Sequence, residues 1–277
     1  MDNQLQSIVL NWIPNQSKVV DFGCGDGQLL RGLKNVFPAT KLYGIDQTES
    51  FRAYIENELE ATFLYNLSDV SECFDVISMV HVLEHLIDPL VVLNEIKASL
   101  SSTGKLFIQV PSYQKNPFDL LIYDHATFFS CKSLKCLLET AGFMILEINE
   151  DWVSKEISAI CSVSEVEKVN EYATEIKCDV KNILFEHEKY LTSIIIEARD
   201  KICANEKVKV FGSSIGACWL AAEVGIDSVS CFLDEDTNRS GGKLFGLPIR
   251  NPTSEDYKEA VMPLDIQTKL QVLMRNN

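Results

Sequence analysis

The sequence is poor in positive charge: 25 Lys and Arg stand against 40 Asp and Glu, leaving a net charge of −15. A chain this acidic offers no basic surface to neutralise a phosphate backbone, so a nucleic-acid partner is not expected. A phosphorylated small molecule stays open, because one helix N-terminus can hold a phosphate on an acidic protein. The nine cysteines are scattered, with no CxxC pair and no metal-ligand spacing, which fits a reducing compartment and no metal. The opening Met1-Asp2-Asn3-Gln4 lacks the basic start of a secretory signal, so a cytoplasmic location is the expectation. No uninterrupted apolar run approaches the ~18 to 20 residues of a membrane span, so a soluble protein without one is expected. What is there is an ordinary globular balance, 46% hydrophobic and 23% charged residues. Such a chain can bury a core. At 277 residues it suits one large domain or two smaller ones, at roughly 150 residues per domain.

From Lys18 to Val110 short apolar runs alternate with longer amphipathic ones, the rhythm of a parallel sheet with crossover helices. Candidate strands are Lys18 to Phe22, Lys41 to Ile45, Thr62 to Tyr65, Phe74 to Val80 and Lys105 to Val110. Asp88 caps the helix before the last strand, Pro89 suits its first turn, and Gly104 falls in the turn that follows. An aromatic loop, Phe118 to Phe129, precedes a helix from Cys131 to Thr140 that Gly142 ends. Two further runs, Met144 to Ile148 and Ile157 to Val163, complete an α/β, doubly wound, mostly parallel seven-stranded sheet with an antiparallel edge.

Neither glycine nor proline occurs from Val166 to Ile202, and apolar residues fall at 166, 169, 173, 176, 180 and 183 in a three-four alternation. This predicts a long amphipathic helix, either a packed connector or a dimerisation seam of a homodimer. His187 continues the stripe and reads as a packing residue. A second α/β pattern follows: strand Lys207 to Phe211, a turn from Gly212 to Gly216, helix Ala217 to Val224, and strand Ser228 to Leu233. Asn238 to Pro252 reads as loop and Leu264 to Met274 as a short helix. The expected organisation is a first domain over residues 1–164, a connecting helix over 165–204, and a small nucleotide-fold domain over 205–277.

Three segments carry chemistry. In Val20-Asp21-Phe22-Gly23-Cys24-Gly25-Asp26-Gly27 a strand runs into a glycine turn that opens a helix, leaving backbone amides free for a ligand. A dinucleotide fingerprint would space its third glycine one residue later. Cys24 reads as a small space-filling residue. Asp46, ending the second strand, is placed where a carboxylate accepts hydrogen bonds from ribose hydroxyls, which points to an adenosine without specifying the cofactor. His81-Val82-Leu83-Glu84-His85 spells H-x-x-E-H, a zinc-hydrolase signature that needs both histidines on one helical face. The position of His81 at the end of a buried strand argues against that reading.

With Phe74 to Pro89, Ser101 to Leu106 and Val110-Pro111 added, the glycine turn resembles the class I S-adenosylmethionine-dependent methyltransferases, in which a Leu-Glu-His element follows the fourth strand. The likeness runs from about Val19 to Phe143. It implies S-adenosylmethionine as cofactor, held by Asp21, Gly23, Cys24, Gly25, Gly27 and Asp46, with Val80 and His81 bordering its methionine part. Tyr123-Asp124-His125-Ala126-Thr127-Phe128-Phe129-Ser130 is similar to the acceptor loop of sugar methyltransferases, particularly nucleotide-sugar C-methyltransferases, though the cysteine-rich zinc module of those enzymes is missing. That likeness implies a sugar-containing acceptor, a nucleotide sugar or a surface glycan, with His125 as general base and Tyr123 and Asp124 orienting it or binding hydroxyls. Val210 to Gly216, Asp234 and Gly246 to Ile249 follow the order of the same enzymes' second domain, whose glycine turn either holds a diphosphate or only shapes the acceptor cleft. A small-molecule O- or N-methyltransferase unrelated to sugars, and a non-catalytic nucleotide-binding partner protein, are the alternatives.

Overall fold

A computed structural model describes residues 12–13, 16–164, 173–205 and 207–276. The first alternation becomes β1 (Lys18–Phe22), α1 (Gln28–Val36), β2 (Lys41–Ile45), α2 (Arg52–Asn57), β3 (Thr62–Leu64), β4 (Phe74–Val80), α3 (Pro89–Ser99) and β5 (Leu100–Pro111). Then come α4 (Cys131–Thr140), β6 (Phe143–Asn149) and β7 (Glu156–Val163). These strands form one seven-stranded sheet in the order β3-β2-β1-β4-β5-β7-β6, the Rossmann-like methyltransferase arrangement. Neighbouring residues feed opposite faces, as a period of two requires. Val19 packs with Leu29, Leu33 and Ile55, whereas Val20 packs with Ile77, Leu93 and Ile96.

Two expectations need correcting here. The antiparallel strand is not the edge: β7 runs against both β5 and β6, and β6 is outermost. A short connection makes β6 and β7 a hairpin, and the more continuously apolar β7, buried along most of its length, takes the inner place. Gly104 lies inside β5, not before it. The strand starts at Leu100 and shifts register against β4 between Phe74 and Val76. At Gly104 an added Cβ would sit 3.0 Å from the Ser101 carbonyl oxygen and 3.1 Å from that of Phe74, so a side chain would crowd the backbone of that irregular pairing. The α3 start is as read: the Asp88 carboxylate accepts from the Val91 amide and Pro89 opens the first turn.

The sheet order positions a site. β1 and β4 are neighbours, but the chain leaves β1 for β2 on one side and β4 for β5 on the other. At such a switch point the connections diverge and leave a crevice beyond the carboxyl ends of the strands.

The chain divides into two compact units, Met1–Lys115 with Asp124–Ile176, and Asn116–Tyr123 with Lys177–Asn277. In the second, α5 (Ala173–Asn205) precedes β8 (Val208–Phe211), α6 (Ile215–Val224), β9 (Val229–Leu233), β10 (Lys243–Leu244), β11 (Leu247–Arg250), α7 (Asp256–Glu259) and α8 (Ile266–Arg275). A four-stranded sheet runs β10-β11-β9-β8. Residues 166 and 169 of the helical stripe lie outside the described residues. Beyond that stripe, Ile194 and Ala198 of the same helix are buried with Val210 and Phe232 of the same unit, so the later part of the helix packs on this unit. Phe118, from the aromatic loop, joins that core on a 3-10 turn over Pro117–Leu121. The segment read as loop after Asn238 contains the hairpin β10–β11. Phe245 and Gly246 both take positive φ, 51° and 81°, the backbone of a tight primed turn that a search for Asn-Gly or Asp-Gly overlooks. Among the described residues no helix is long and apolar enough to cross a membrane.

Candidate active site

β1 ends in Asp21-Phe22, and the chain then bends sharply enough for the Gly23 and Cys24 amides both to donate to the Ile45 carbonyl, at 2.7 and 2.9 Å. Gly23 has φ +82°, and a Cβ there would lie 2.3 Å from a Val82 methyl carbon, so this position admits only glycine. At Gly25 an added Cβ would meet nothing within 4 Å; the backbone is bare toward open space. The Gly25 amide donates to Asp46 Oδ2 at 2.9 Å, while Asp46 Oδ1 accepts from the Thr48 amide and hydroxyl at 2.9 and 3.0 Å. Each carboxylate oxygen carries two lone pairs, so Asp46 keeps acceptor capacity for ligand hydroxyls. Gly27 closes the turn by donating to the Cys24 carbonyl at 2.8 Å.

Beyond this turn lies a cleft of about 430 Å³, lined by Asp21, Gly23, Cys24 and Gly25 on one strand end and by Val80 and His81 on the other. Asp21 is 4% exposed and accepts from the Ser78 hydroxyl at 3.0 Å. Burial pushes its carboxyl up to about 7, the Ser78 bond working against the rise and the Asp46 charge adding to it. Burial likewise pushes the Cys24 thiol up to about 12; it stays protonated and fills space, as read from the sequence. Gln109, also on the cleft, was missed. It is 3% exposed, and the detectable signal is an amide interrupting the apolar run Leu106 to Val110. Its carbonyl accepts from the His81 amide at 3.0 Å.

His81 has φ +55°, a left-handed conformation uncommon for a side-chain-bearing residue. The chain then makes a 3-10 turn over Leu83–His85. His81 and His85 therefore do not share the helical face that the H-x-x-E-H zinc reading requires. Instead His81 Nδ1 lies 3.2 Å from Glu84 Oε1, and Glu84 is 1% exposed. The segment after Asp124 runs alongside: the Ala126 and Thr127 amides donate to the Glu84 carbonyl at 2.8 and 3.0 Å, and the Thr127 hydroxyl to that of Leu86 at 3.1 Å. This brings His125 against His85, ring centroids 4.9 Å apart and nearly perpendicular. Glu84, His85 and His125 carry donor atoms within 4.8 Å of one another.

Asp21, Gly23, Cys24, Gly25, Val80 and His81 thus converge on one cleft, with Asp46 and Gly27 bracing its turn. His125 and Asp124 converge on His85, Asp124 through its carbonyl at 3.1 Å and its carboxylate at 3.3 Å from Nδ1. Tyr123 is fully exposed and belongs to the other unit. In that unit the turn after β8 has Gly212 at φ +92° with nothing within 4 Å of an added Cβ. At Gly216, however, a Cβ would lie 2.2 Å from the Pro263 carbonyl oxygen, so packing alone accounts for that glycine. The Ser213 hydroxyl donates to Asp234.

Residues 3–148 match the family described as methyltransferase domain. A tRNA U34 carboxymethyltransferase of Campylobacter hominis is 37% identical over 100 residues, 33% of this chain and 35% of that protein. One of Campylobacter jejuni subsp. doylei is 29% identical over 152 residues, 48% of this chain and 52% of that protein. The chain therefore spans between a third and about half of the length of these curated relatives. The crystal structure of an S-adenosylmethionine-dependent methyltransferase from Clostridium acetobutylicum superposes with a TM-score of 0.50 at 12% identity, over 59% of this chain and 93% of that one. That likeness is one of fold.

Proposed function

We propose that the chain, which belongs to the methyltransferase domain family, uses S-adenosylmethionine to methylate an oxygen or carbon of a sugar-containing acceptor, with His125 handling the acceptor's proton. The observation that carries this reading is the cleft at the switch point, where Asp21, the bare Gly25 backbone and the Asp46 carboxylate suit an adenosyl ligand with a cationic tail. The bound cofactor supplies a methyl group already activated on a positively charged sulfur. Asp46 would take the ribose hydroxyls, the backbone at Val80 and His81 would border the methionine part, and Asp21 would face its positive charge. The chain's remaining task is to align the acceptor and remove its proton, which suits an imidazole.

The sugar part rests on the resemblance of residues 123–130 to sugar methyltransferase acceptor loops. We assign acceptor recognition to the small domain that follows the helix Ala173–Asn205. The relatives' names suggest a second reading, carboxymethyl transfer to tRNA. Two observations weigh against it. A net charge of −15 suits a polyanion poorly. A donor carrying an additional carboxylate would want a cationic side chain nearby, yet among the described residues neither Lys nor Arg lines the cleft.

The test is thermal unfolding with S-adenosylhomocysteine, then with added TDP, UDP, GDP or CDP. A ligand at ~100 times its dissociation constant adds about 2.7 kcal/mol to the native state. We expect S-adenosylhomocysteine to stabilise the protein, Gly23→Ala to lose that shift, and one nucleotide to add a further increment. No shift with well-folded protein would sink the cofactor site. A cofactor shift with no nucleotide increment would remove the nucleotide-sugar acceptor.

A further inference from the structure

We propose that Glu84, His85 and His125 form a binding site for one divalent transition-metal ion of the zinc, manganese or cobalt class. The spacing H-x-x-E-H suggested a metal through His81 and His85; the fold assembles a different set, two imidazoles and one carboxylate from two chain segments. Their donor atoms lie within 4.8 Å of one another. Ligands of a tetrahedral ion with bonds near ~2.1 Å sit about 3.4 Å apart, so small side-chain rotations complete the set.

Three further features point to a cation. Glu84 Oε2 is buried and has no hydrogen-bond partner, although its residue is 1% exposed. A carboxylate oxygen in that position is costly unless something positive meets it. His85 Nδ1 faces only acceptors on Asp124, the carbonyl oxygen at 3.1 Å and Oδ2 at 3.3 Å. A carbonyl cannot donate, so Nδ1 is the donor and Nε2 is the nitrogen left to face a metal, the arrangement in which an outer carbonyl or carboxylate orients a ligating histidine. Finally, residues 124–127 are tied to 84–86 by the Ala126 and Thr127 amides and the Thr127 hydroxyl. None of those bonds uses a donor atom of the site, so the donors are preorganised.

Two nitrogens and one oxygen favour a borderline ion over calcium or magnesium, and three protein ligands leave coordination positions open. Glu84 also pairs with His81, which lines the cofactor cleft, so an ion held by Glu84 would lie next to that cleft. In the open positions it would bind acceptor oxygens, and a hydroxyl so bound would lose its proton to water more readily. His125 would then serve as a ligand, and water would take the proton in place of the direct transfer to His125 proposed above. This use of the ion rests on the transferase reading above; the site itself does not.

The experiment is titration of the chelator-treated full chain with Co²⁺, followed by visible absorption and calorimetry, with S-adenosylhomocysteine stabilisation recorded on the same samples. We expect one equivalent of Co²⁺, displaced by Zn²⁺, with affinity falling at least ~10-fold in Glu84→Gln and His125→Ala, and unchanged in His187→Ala. No Co²⁺ uptake by folded protein that still responds to S-adenosylhomocysteine would overturn the site and leave the transferase standing. Equal uptake by Glu84→Gln and His125→Ala would overturn it too. Site-dependent uptake without any response to S-adenosylhomocysteine would support the site while removing the transferase reading.

Discussion

Asp21 is the residue whose chemistry the fold alters most. Held in the sheet core and pushed up to about 7 by burial, it keeps its proton in the native state over a range in which an unfolded carboxyl, ionising near ~3.9, has lost it. The native state therefore binds more protons than the unfolded one between about pH 4 and 7, so this group's contribution to stability falls as pH rises through that window and levels off above it. A cationic ligand reverses the preference by favouring ionised Asp21. Affinity for S-adenosylmethionine should rise from pH 5.5 toward about 7 and then flatten, with proton release on binding near pH 6. Calorimetry in two buffers of different ionisation enthalpy checks this. Asp21→Asn should abolish the release, and an unchanged proton count in that variant would contradict the assignment.

At the scale of elements, the second unit depends on a tie between β8 and α7. Lys209 Nζ donates to Asp256 Oδ1 at 2.8 Å and to Glu259 at 2.7 Å, and the Thr253 amide and hydroxyl reach Asp256 Oδ2, both at 2.9 Å. Burial opposes ionisation of Asp256, but Lys209 and Thr253 together outweigh it and hold the carboxyl at about 2. Because this value is depressed, the stabilisation is present above about pH 4 and lost as pH falls toward 2; it amounts to about 2 kcal/mol. Asp256→Asn should cost about 1–3 kcal/mol at pH 7 by urea unfolding, and the difference from the parent protein should close by pH 2. A difference that persists there would place the loss in packing.

For the whole molecule, net charge decides what can approach. At −15 the chain repels a phosphate backbone, and we expect tRNA binding weaker than ~10⁻⁴ M at physiological salt, at the edge of ordinary non-specific binding. Gel-shift titration measures it. Micromolar, steeply salt-dependent binding would revive the tRNA reading that the relatives' names suggest.

The sequence by itself determined the elements and the cofactor turn. Periodicity and capping are local properties, so β1, β2 and the helix Cys131–Thr140 could be read to the residue, and the Gly23 turn and Asp46 follow strands that local pattern already defines. Tertiary structure decided what depends on distant segments meeting. The inner place of β7 follows from comparative burial, and the β10–β11 hairpin from two positive φ values. Gln109 reaches the cleft because β5 pairs beside β4. Most of all, the fold separated His81 from His85 by a left-handed residue and a 3-10 turn, then carried His125 to His85 across 40 residues of chain. Backbone amides bound to the Glu84 carbonyl did that, and no spacing rule encodes them.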